Sequence, residues 1–175
     1  MVLCIYGGAD VKIDKRYIED GEKLGRLIAE HGHSIVYGAG ATGLMGAVSR
    51  GVHEKGGKVV GVVPKFFTNE EVLNKECDEL IRTETMRERK QIMEERADAF
   101  IITPGGVGTY DEFFEILTLR NLNRHDKKIA ILNTDGFYNK LSDAIDYAID
   151  NSFIKRNIKD YMFTDVEKLL DFIEK

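Results

Sequence analysis

The sequence predicts an α/β fold, a doubly wound parallel sheet with helices on both faces, in a single domain spanning residues 1–175. Short apolar runs alternate with helical patterns along almost the whole chain, an alternation typical of βαβ units. Several of these runs end in glycine-rich turns that open the next helix, as strand-to-helix connections do in open α/β sheets. A length of 175 residues with 43% hydrophobic content suits one well-packed domain, and we place no domain boundary.

The predicted strands are the short apolar runs. In chain order they span 2–6, 34–37, 58–63, 99–103, 129–132 and, as a short last strand, 161–163. Pro64 ends the third strand, because proline lacks the N–H that a strand ladder needs. Helical segments separate the strands, so the connections should be right-handed crossovers and the strands parallel. The polar segment 65–82 is predicted to be a loop or a short helical excursion over the site.

The predicted helices fill the intervals between the strands. In chain order they span 15–31, 44–55, 86–97, a segment from a glycine-rich turn through 122, then 138–150 and 165 onward. The first has an apolar face that includes Leu24 and Ile28, and Gly32 is placed to cap its C-terminus. Thr85 and Glu88 match a capping box, which predicts that the third helix begins at Met86.

Composition narrows the classes of partner. A formal net charge of −5 argues against a nucleic-acid backbone or an anionic membrane as the main partner. No signal peptide is visible, and no apolar run approaches the roughly 18–20 residues of a membrane span. Cys4 and Cys77 do not form a disulfide framework, and Cys4 is expected to be a buried free thiol. We therefore expect a soluble, cytoplasmic protein that binds a small molecule.

The strongest functional signal is the stretch from Pro104 to Glu112. It follows the predicted strand 99–103 and opens a helix, so free backbone N–H groups and the positive end of the helix dipole meet there. Such a turn is an anion site, most often for phosphate. Asp111 and Glu112 are expected in the first helical turn, beside the phosphate. Acids at that place suggest that a polar group of a bound nucleotide is held or attacked.

Two further glycine-rich turns follow predicted strands. The turn from Gly7 to Asp10 is equally consistent with a tight connection and with ligand contact. Gly38, Gly40 and Gly43 have the spacing of a dinucleotide fingerprint, which also expects an acid about 20 residues later on the ribose. That region, 59–63, is apolar. A redox dinucleotide is therefore disfavoured, and a mononucleotide is preferred.

Three other features leave alternatives open. The charged run 87–90 is either a solvated helix face or a set of groups that approach the glycine-rich site. The aromatic pair 66–67 either lines a pocket for an apolar base substituent or packs beneath a loop. The histidines are scattered, whereas a zinc site needs clustered ligands, and they lie at positions 31, 33, 53 and 125. No metal and no cofactor are expected.

Taken together, these motifs resemble one known family. Met86-x-x-Arg89-Lys90, followed by Pro104-Gly105-Gly106-x-Gly108-Thr109-x-x-Glu112, is similar to the LOG (Lonely Guy) family of cytokinin riboside 5′-monophosphate phosphoribohydrolases. Gly43-Leu44-Met45-Gly46 and Gly61-Val62-Val63-Pro64 also resemble this family, and the similarity spans most of the chain. Older labels call such proteins "possible lysine decarboxylases".

The resemblance implies a single LOG-like nucleotide-binding domain with a Rossmann-like fold. It implies a homodimer, or a higher homo-oligomer, whose sites form near the subunit interface. The implied catalytic residues are Arg89 and Glu112. The implied substrate-binding residues, several of them on the phosphate, are Gly40, Gly43, Glu71, Met86, Lys90, Gly105, Gly106, Val107, Gly108, Thr109, Tyr110, Asp111 and Thr118. The turn from Gly7 to Asp10 replaces a serine-rich turn of the family, and Ala39 replaces a glycine, which bears on ribose and phosphate contacts.

The implied activity is metal-free hydrolysis of a nucleoside 5′-monophosphate, AMP or an N6-substituted AMP, to free base and ribose 5-phosphate. Glu112 would stabilise the oxocarbenium-like ribose or hold its hydroxyls and the water. Arg89 is assigned an electrostatic role, because a pKa above about 12 makes arginine a poor proton donor.

The sequence leaves two other functions open. One is a general purine or pyrimidine nucleotide nucleosidase in salvage, and the other is a non-enzymatic carrier of a nucleotide or of molybdenum cofactor. Decarboxylation is rejected, because no Schiff-base lysine, phosphate cup and pyridine-directed acid come together in the sequence.

Overall fold

The computed structural model describes residues 1–67 and 73–175, and its described strands form one parallel sheet. The strands are β1 (Val2–Tyr6), β2 (Ser34–Tyr37), β3 (Val59–Pro64), β4 (Glu79–Thr83), β5 (Ala99–Ile102), β6 (Lys128–Leu132) and β7 (Met162–Phe163). Their order across the sheet is β4-β3-β2-β1-β5-β6-β7, and each neighbouring pair runs parallel. The predicted α/β fold with a parallel sheet is confirmed.

The helices occupy the intervals that the sequence predicts for them. They are α1 (Lys15–Glu30), α2 (Gly43–Glu54), α3 (Met86–Arg96), α4 (Val107–Asn121), α5 (Asn139–Asp150) and α6 (Val166–Glu174). Half of the predicted capping box is present, since the Thr85 hydroxyl accepts a 3.1 Å hydrogen bond from the Glu88 amide. The Glu88 carboxylate accepts a hydrogen bond from the amide of Glu84, at 2.7 Å, one residue before the N-cap. Gly32, at φ 73°, follows the end of α1 as expected. Among the described residues, none of the helices combines the length and the apolar character that a membrane span requires.

One strand lies where the sequence predicts none. Segment 65–82 is predicted to be a loop or a short helical excursion, but β4 begins within it and pairs with β3. The prediction is wrong for residues 79–82, which form most of β4. Residues 65–67 and 73–78 contain no helix and no strand, as the loop prediction expects, and residues 68–72 lie outside the described residues. The sequence does not reveal β4 because it is an edge strand with only one neighbouring strand. Its burial alternates, and it carries charged side chains at Glu79 and Arg82. A half-exposed edge strand needs no continuous apolar run, so the apolar pattern that identifies the other strands is lacking here.

The sheet separates two apolar layers. Leu3 and Ile5 of β1 pack on one side, with α1, α2 and α6. Cys4 and Tyr6 alternate onto the other side, with α3, α4 and α5. Cys4 is a buried free thiol, as expected, and burial raises its pKa. The chain winds outward from β1 in both directions, so the strand order reverses between β1 and β5, where open α/β sheets place their ligand sites.

Candidate active site

A cavity of about 330 Å³ lies at the carboxyl edge of the sheet, beside the reversal between β1 and β5. Its walls come from the segments that follow β1, β2, β3 and β5 and from side chains of α2, α3 and α4. Small-molecule sites commonly occupy about 300–1,000 Å³. The residues of the predicted site that line it are Gly40, Met86, Arg89, Gly106, Gly108, Thr109 and Glu112.

The two predicted catalytic residues form a buried ion pair on the cavity wall. Arg89 Nη1 of α3 donates a hydrogen bond of 2.6 Å to Glu112 Oε1 of α4. Each residue is only 8% exposed. Arg89 Nε also donates to the Val62 carbonyl of β3 at 3.1 Å. The guanidinium is therefore fixed from two directions while its residue still borders the cavity.

Burial sets the electrostatics of this pair. Desolvation raises the pKa of the Glu112 carboxyl above its ordinary value, and the positive charge of Arg89 opposes that shift. A charged group in a low-dielectric wall interacts strongly with any charge that develops in the cavity. The pair is therefore suited to stabilising a transient charge on a bound ligand.

The N-terminus of α4, here called the anion cradle, lies at the place where the sequence predicts a phosphate site. Gly106 is the N-cap, with an extended backbone (φ −97°, ψ −152°). The amides of Val107, Gly108 and Thr109 open the helix, where N–H groups have no intrahelical acceptor. A Cβ at either Gly106 or Gly108 would meet no atom within 4 Å, so the described atoms leave open space beside both glycines.

The predicted position of the two acids is wrong by one helical turn. Because α4 begins at Val107, Asp111 and Glu112 lie in its second turn, and its first turn contains no acid. This arrangement leaves the positive end of the helix free for an anion. It also separates the two acids, since Glu112 is buried at the cavity and Asp111 is exposed.

The remaining predicted contacts lie on a second concavity, here called the outer groove. It runs along the opposite side of α4 and is lined by Lys90, Val107, Tyr110, Asp111, Phe114, Glu115, Thr118 and Leu119. Lys90 Nζ contacts Asp111 at 2.9 Å and Glu115 at 2.8 Å. The structure thus places the side chains of Lys90, Val107, Tyr110, Asp111 and Thr118 in the outer groove within one protomer. The backbone amide of Val107 remains part of the anion cradle at the start of α4.

The three remaining predicted binding residues are Gly105, Gly43 and Glu71. Gly105 packs closely, since a Cβ there would lie 2.1 Å from Thr109 Oγ1 and 2.9 Å from the Gly8 nitrogen. Gly43, at φ 60°, opens α2 against the backbone of Ala9. The lack of a side chain at these two glycines lets neighbouring loops approach each other closely. Glu71 lies outside the described residues.

The apolar wall of the cavity includes residues to which the sequence analysis gives no binding role, although some of them lie within its motifs. That wall comprises Met45, Val63, Pro64, Phe67 and Leu73. Phe67 borders the cavity, which is consistent with the pocket-lining alternative for the aromatic pair. Phe66 and Phe67 are 59% and 45% exposed among the described residues, and residues 68–72, which follow them, lie outside that part of the chain. Their place in the chain could have identified three of these wall residues from the sequence. Val63, Pro64 and Phe67 lie at or just beyond the carboxyl end of β3, where ligand sites of parallel sheets are found.

Comparisons with known proteins show similarity in sequence to one family. The sequence model of the family described as "Possible lysine decarboxylase" matches residues 45–173. The cytokinin riboside 5′-monophosphate phosphoribohydrolase LOG2 of Arabidopsis thaliana is 38% identical over 152 residues, which cover 87% of this chain and 71% of that protein. LOG5 of the same plant is 35% identical over 173 residues, covering 99% of this chain and 75% of the relative.

Solved structures share the fold at lower sequence identity. The molybdenum cofactor binding protein of Rippkaea orientalis superposes with a TM-score of 0.73 at 22% identity, covering 99% of this chain and 94% of that one. The Moco carrier protein of Chlamydomonas reinhardtii gives a TM-score of 0.74 at 20% identity, with the same coverage. At these identities the likeness concerns the fold.

Proposed function

The chain belongs to the LOG family, whose sequence model is described as "Possible lysine decarboxylase", and on that premise we propose that it is a nucleoside 5′-monophosphate phosphoribohydrolase. The reaction hydrolyses the N-glycosidic bond and gives free base and ribose 5-phosphate. The single observation that carries the proposal is the buried Arg89–Glu112 pair, which borders the same cavity as the anion cradle of α4. Phosphate on the cradle brings the sugar toward the pair.

The chemistry follows from this placement. The bond between the anomeric carbon and the base nitrogen breaks, and its electron pair leaves with the base. The oxygen of a water molecule bonds to the anomeric carbon, and the base gains a proton. Positive charge develops on the ribose during this step, as in glycoside hydrolysis. The Glu112 carboxylate stabilises that charge and holds the water, and the Arg89 guanidinium stabilises the electron-rich base.

The apolar wall supports AMP or an N6-substituted AMP as substrate. Met45, Phe67 and Leu73 offer a surface for a flat base and an apolar substituent. A general purine or pyrimidine nucleotide nucleosidase in salvage is the broader form of the same proposal. The two differ in whether an apolar N6 group raises kcat/KM above that of AMP.

We assign the outer groove to a subunit contact in a homodimer or a higher homo-oligomer. Val107 and Phe114 of this groove, and Leu122 at the end of α4, are exposed apolar side chains, with 84%, 39% and 64% of their surface accessible. Burial of the groove by a second copy would bring its predicted substrate contacts, Lys90 and Thr118 among them, to an interface. The free thiols Cys4 and Cys77 support a reducing compartment, the cytoplasm.

Decarboxylation finds no support in the cavity. Among the described residues that line it there is no lysine to form a Schiff base. Lys90, the lysine of the motif, faces the outer groove and pairs with two carboxylates. The lysine that pyridoxal chemistry needs is thus not supplied by this part of the structure.

A non-enzymatic carrier is the second candidate, since two solved structures of this fold are named as molybdenum cofactor binding or carrier proteins. A carrier needs glycine-rich turns but no buried acid–arginine pair. Binding of AMP without release of adenine would favour the carrier.

The decisive experiment is a panel of nucleoside monophosphates scored for free base by chromatography. We expect base release from AMP or an N6-substituted AMP, and loss of release in Glu112→Ala and Arg89→Ala. Circular dichroism of each variant shows whether it is folded. Unchanged hydrolysis by either folded variant would reject the assignment of the pair.

A further inference from the structure

The glycine pattern after β2 includes one residue whose role is not explained by phosphate binding. Gly38 directly follows the strand and borders the cavity. A Cβ built on Gly38 would lie 2.1 Å from Arg89 Nη2 and 3.2 Å from Arg89 Cζ. Contacts of a real Cβ below 3.0 Å essentially never occur. The guanidinium therefore occupies the space that any side chain at position 38 would need.

The backbone itself does not demand glycine at this position. Gly43, in the same pattern, has a φ of 60° that L-residues rarely adopt, whereas Gly38 is not among the residues with positive φ. After Arg89, the next nearest atom to a Cβ at position 38 is Met45 Sδ at 3.7 Å, an ordinary contact. Arg89 is thus the one close obstacle among the described neighbours of Gly38.

Arg89 has little freedom to move aside. Its Nε is held by the Val62 carbonyl at 3.1 Å and its Nη1 by Glu112 at 2.6 Å, and the residue is 8% exposed. Displacing Nη2 by the distance that a methyl group requires would break or lengthen one of these two bonds. A substitution at Gly38 therefore acts on Glu112 through Arg89.

We infer that Gly38 is a positioning residue. Because it has no side chain, the guanidinium of Arg89 packs against its backbone and keeps its hydrogen bond to Glu112. This inference rests on the proposed function. Gly38 is the first glycine of the dinucleotide-like spacing, and here it makes room for the guanidinium of Arg89. A contact between Gly38 and a phosphate is not needed to explain the glycine.

The test is a double-mutant cycle of Gly38→Ala and Arg89→Lys, because lysine has no atom at the Nη2 position. In the Arg89 background, Gly38→Ala should lower kcat for base release by about tenfold or more, with KM changed by less than about threefold. In the Arg89→Lys background the same substitution should lower kcat by less than about twofold. Equal losses of kcat in both backgrounds would overturn the inference.

Gly57→Ala is the matched control at the opposite end of the sheet. Its Cβ would meet Ala29 Cβ and Val52 Cγ1, both at 2.7 Å, so this variant should be destabilised but retain kcat. A loss of kcat in Gly57→Ala equal to that in Gly38→Ala would show that general destabilisation explains both.

Thermal unfolding of the same cycle separates this inference from the proposed function. Gly38→Ala should lower Tm when residue 89 is arginine and leave Tm unchanged when it is lysine, with no substrate present. Should Gly38→Ala alone fail to fold while the double variant folds, the steric coupling stands. Should Tm fall equally in both backgrounds, the inference is wrong, whether or not any nucleotide is hydrolysed.

Discussion

Arg89 and Glu112 connect α3 to α4 through a 2.6 Å hydrogen bond between Nη1 and Oε1, and both residues are almost fully buried. Removing two charges from water is expensive, so a buried ion pair is weak evidence of a stabilising role. Here the pair borders a cavity beside an anion cradle. A charged pair at this place is better explained by chemistry on a bound ligand.

The first prediction concerns the cost of leaving Arg89 without its partner. We expect Glu112→Ala to lower the free energy of unfolding by about 3–5 kcal/mol, because it leaves an uncompensated buried charge. Glu112→Gln should cost less, since its amide oxygen still accepts the hydrogen bond from Arg89. Urea denaturation at neutral pH measures both. Equal stability of Glu112→Ala and the parent protein would show that water or another group already neutralises Arg89.

The second prediction is the pH dependence of hydrolysis. Burial raises the pKa of Glu112, so its carboxyl takes up a proton at a higher pH than an ordinary glutamate does. If the carboxylate stabilises the ribose cation, kcat/KM must fall as the pH decreases through this raised pKa of the free enzyme. We therefore expect an acid limb of kcat/KM above the ordinary value of 4.5.

The substrate phosphate also titrates, with a second pKa of about 6, so a control is needed. The residual hydrolysis of Glu112→Gln keeps the phosphate titration and should lack the limb that belongs to the protein. The same acid limb in both proteins would assign it to the substrate and contradict the role of Glu112.

The third prediction isolates one amide of the anion cradle. Val107 is the first residue of α4, where proline is well tolerated, and the preceding Gly106 is extended as a residue before proline should be. Val107→Pro removes one N–H and keeps the helix. A hydrogen bond to a charged group contributes about 1.5–3 kcal/mol, so KM for AMP should rise by about 10–100-fold.

Val107→Ala is the matched control, because it shortens the side chain and keeps the amide. Any hydrolysis of adenosine, which has no phosphate, should proceed at the same rate in both variants. If Val107→Pro leaves KM for AMP unchanged, the phosphate is bound elsewhere.

The sequence predicted most of the fold because buried parallel strands leave a clear apolar pattern. It missed β4, whose alternating edge residues such as Leu80 and Arg82 do not form an apolar run. The residues that meet at the site were partly predictable, since the glycine-rich turns lie at strand ends. The sequence could not predict which of these residues line the cavity and which line the outer groove. That division depends on where α4 begins, and hence on which residues lie on each of its faces.

The close contact between Gly38 and Arg89 shows the same limit of prediction from sequence. A spacing of glycines identifies a close approach of the backbone but does not say what approaches. Only the packing of α3 against β3, which brings Arg89 Nε to the Val62 carbonyl, shows that the occupant is a guanidinium.

The fourth prediction concerns assembly through the outer groove. Phe114 of α4 is an exposed aromatic residue in this groove, and burying it against a second copy would remove apolar surface from water. In the proposed dimer, Phe114→Asp should therefore shift the sedimentation coefficient from that of a dimer to that of a monomer. Tyr147→Asp is the matched control, since Tyr147 is an exposed aromatic residue on α5, away from the groove.

If the site is completed at the interface, hydrolysis of AMP should fall with the dimer fraction. A protein that stays dimeric as Phe114→Asp but dissociates as Tyr147→Asp would place the interface on α5.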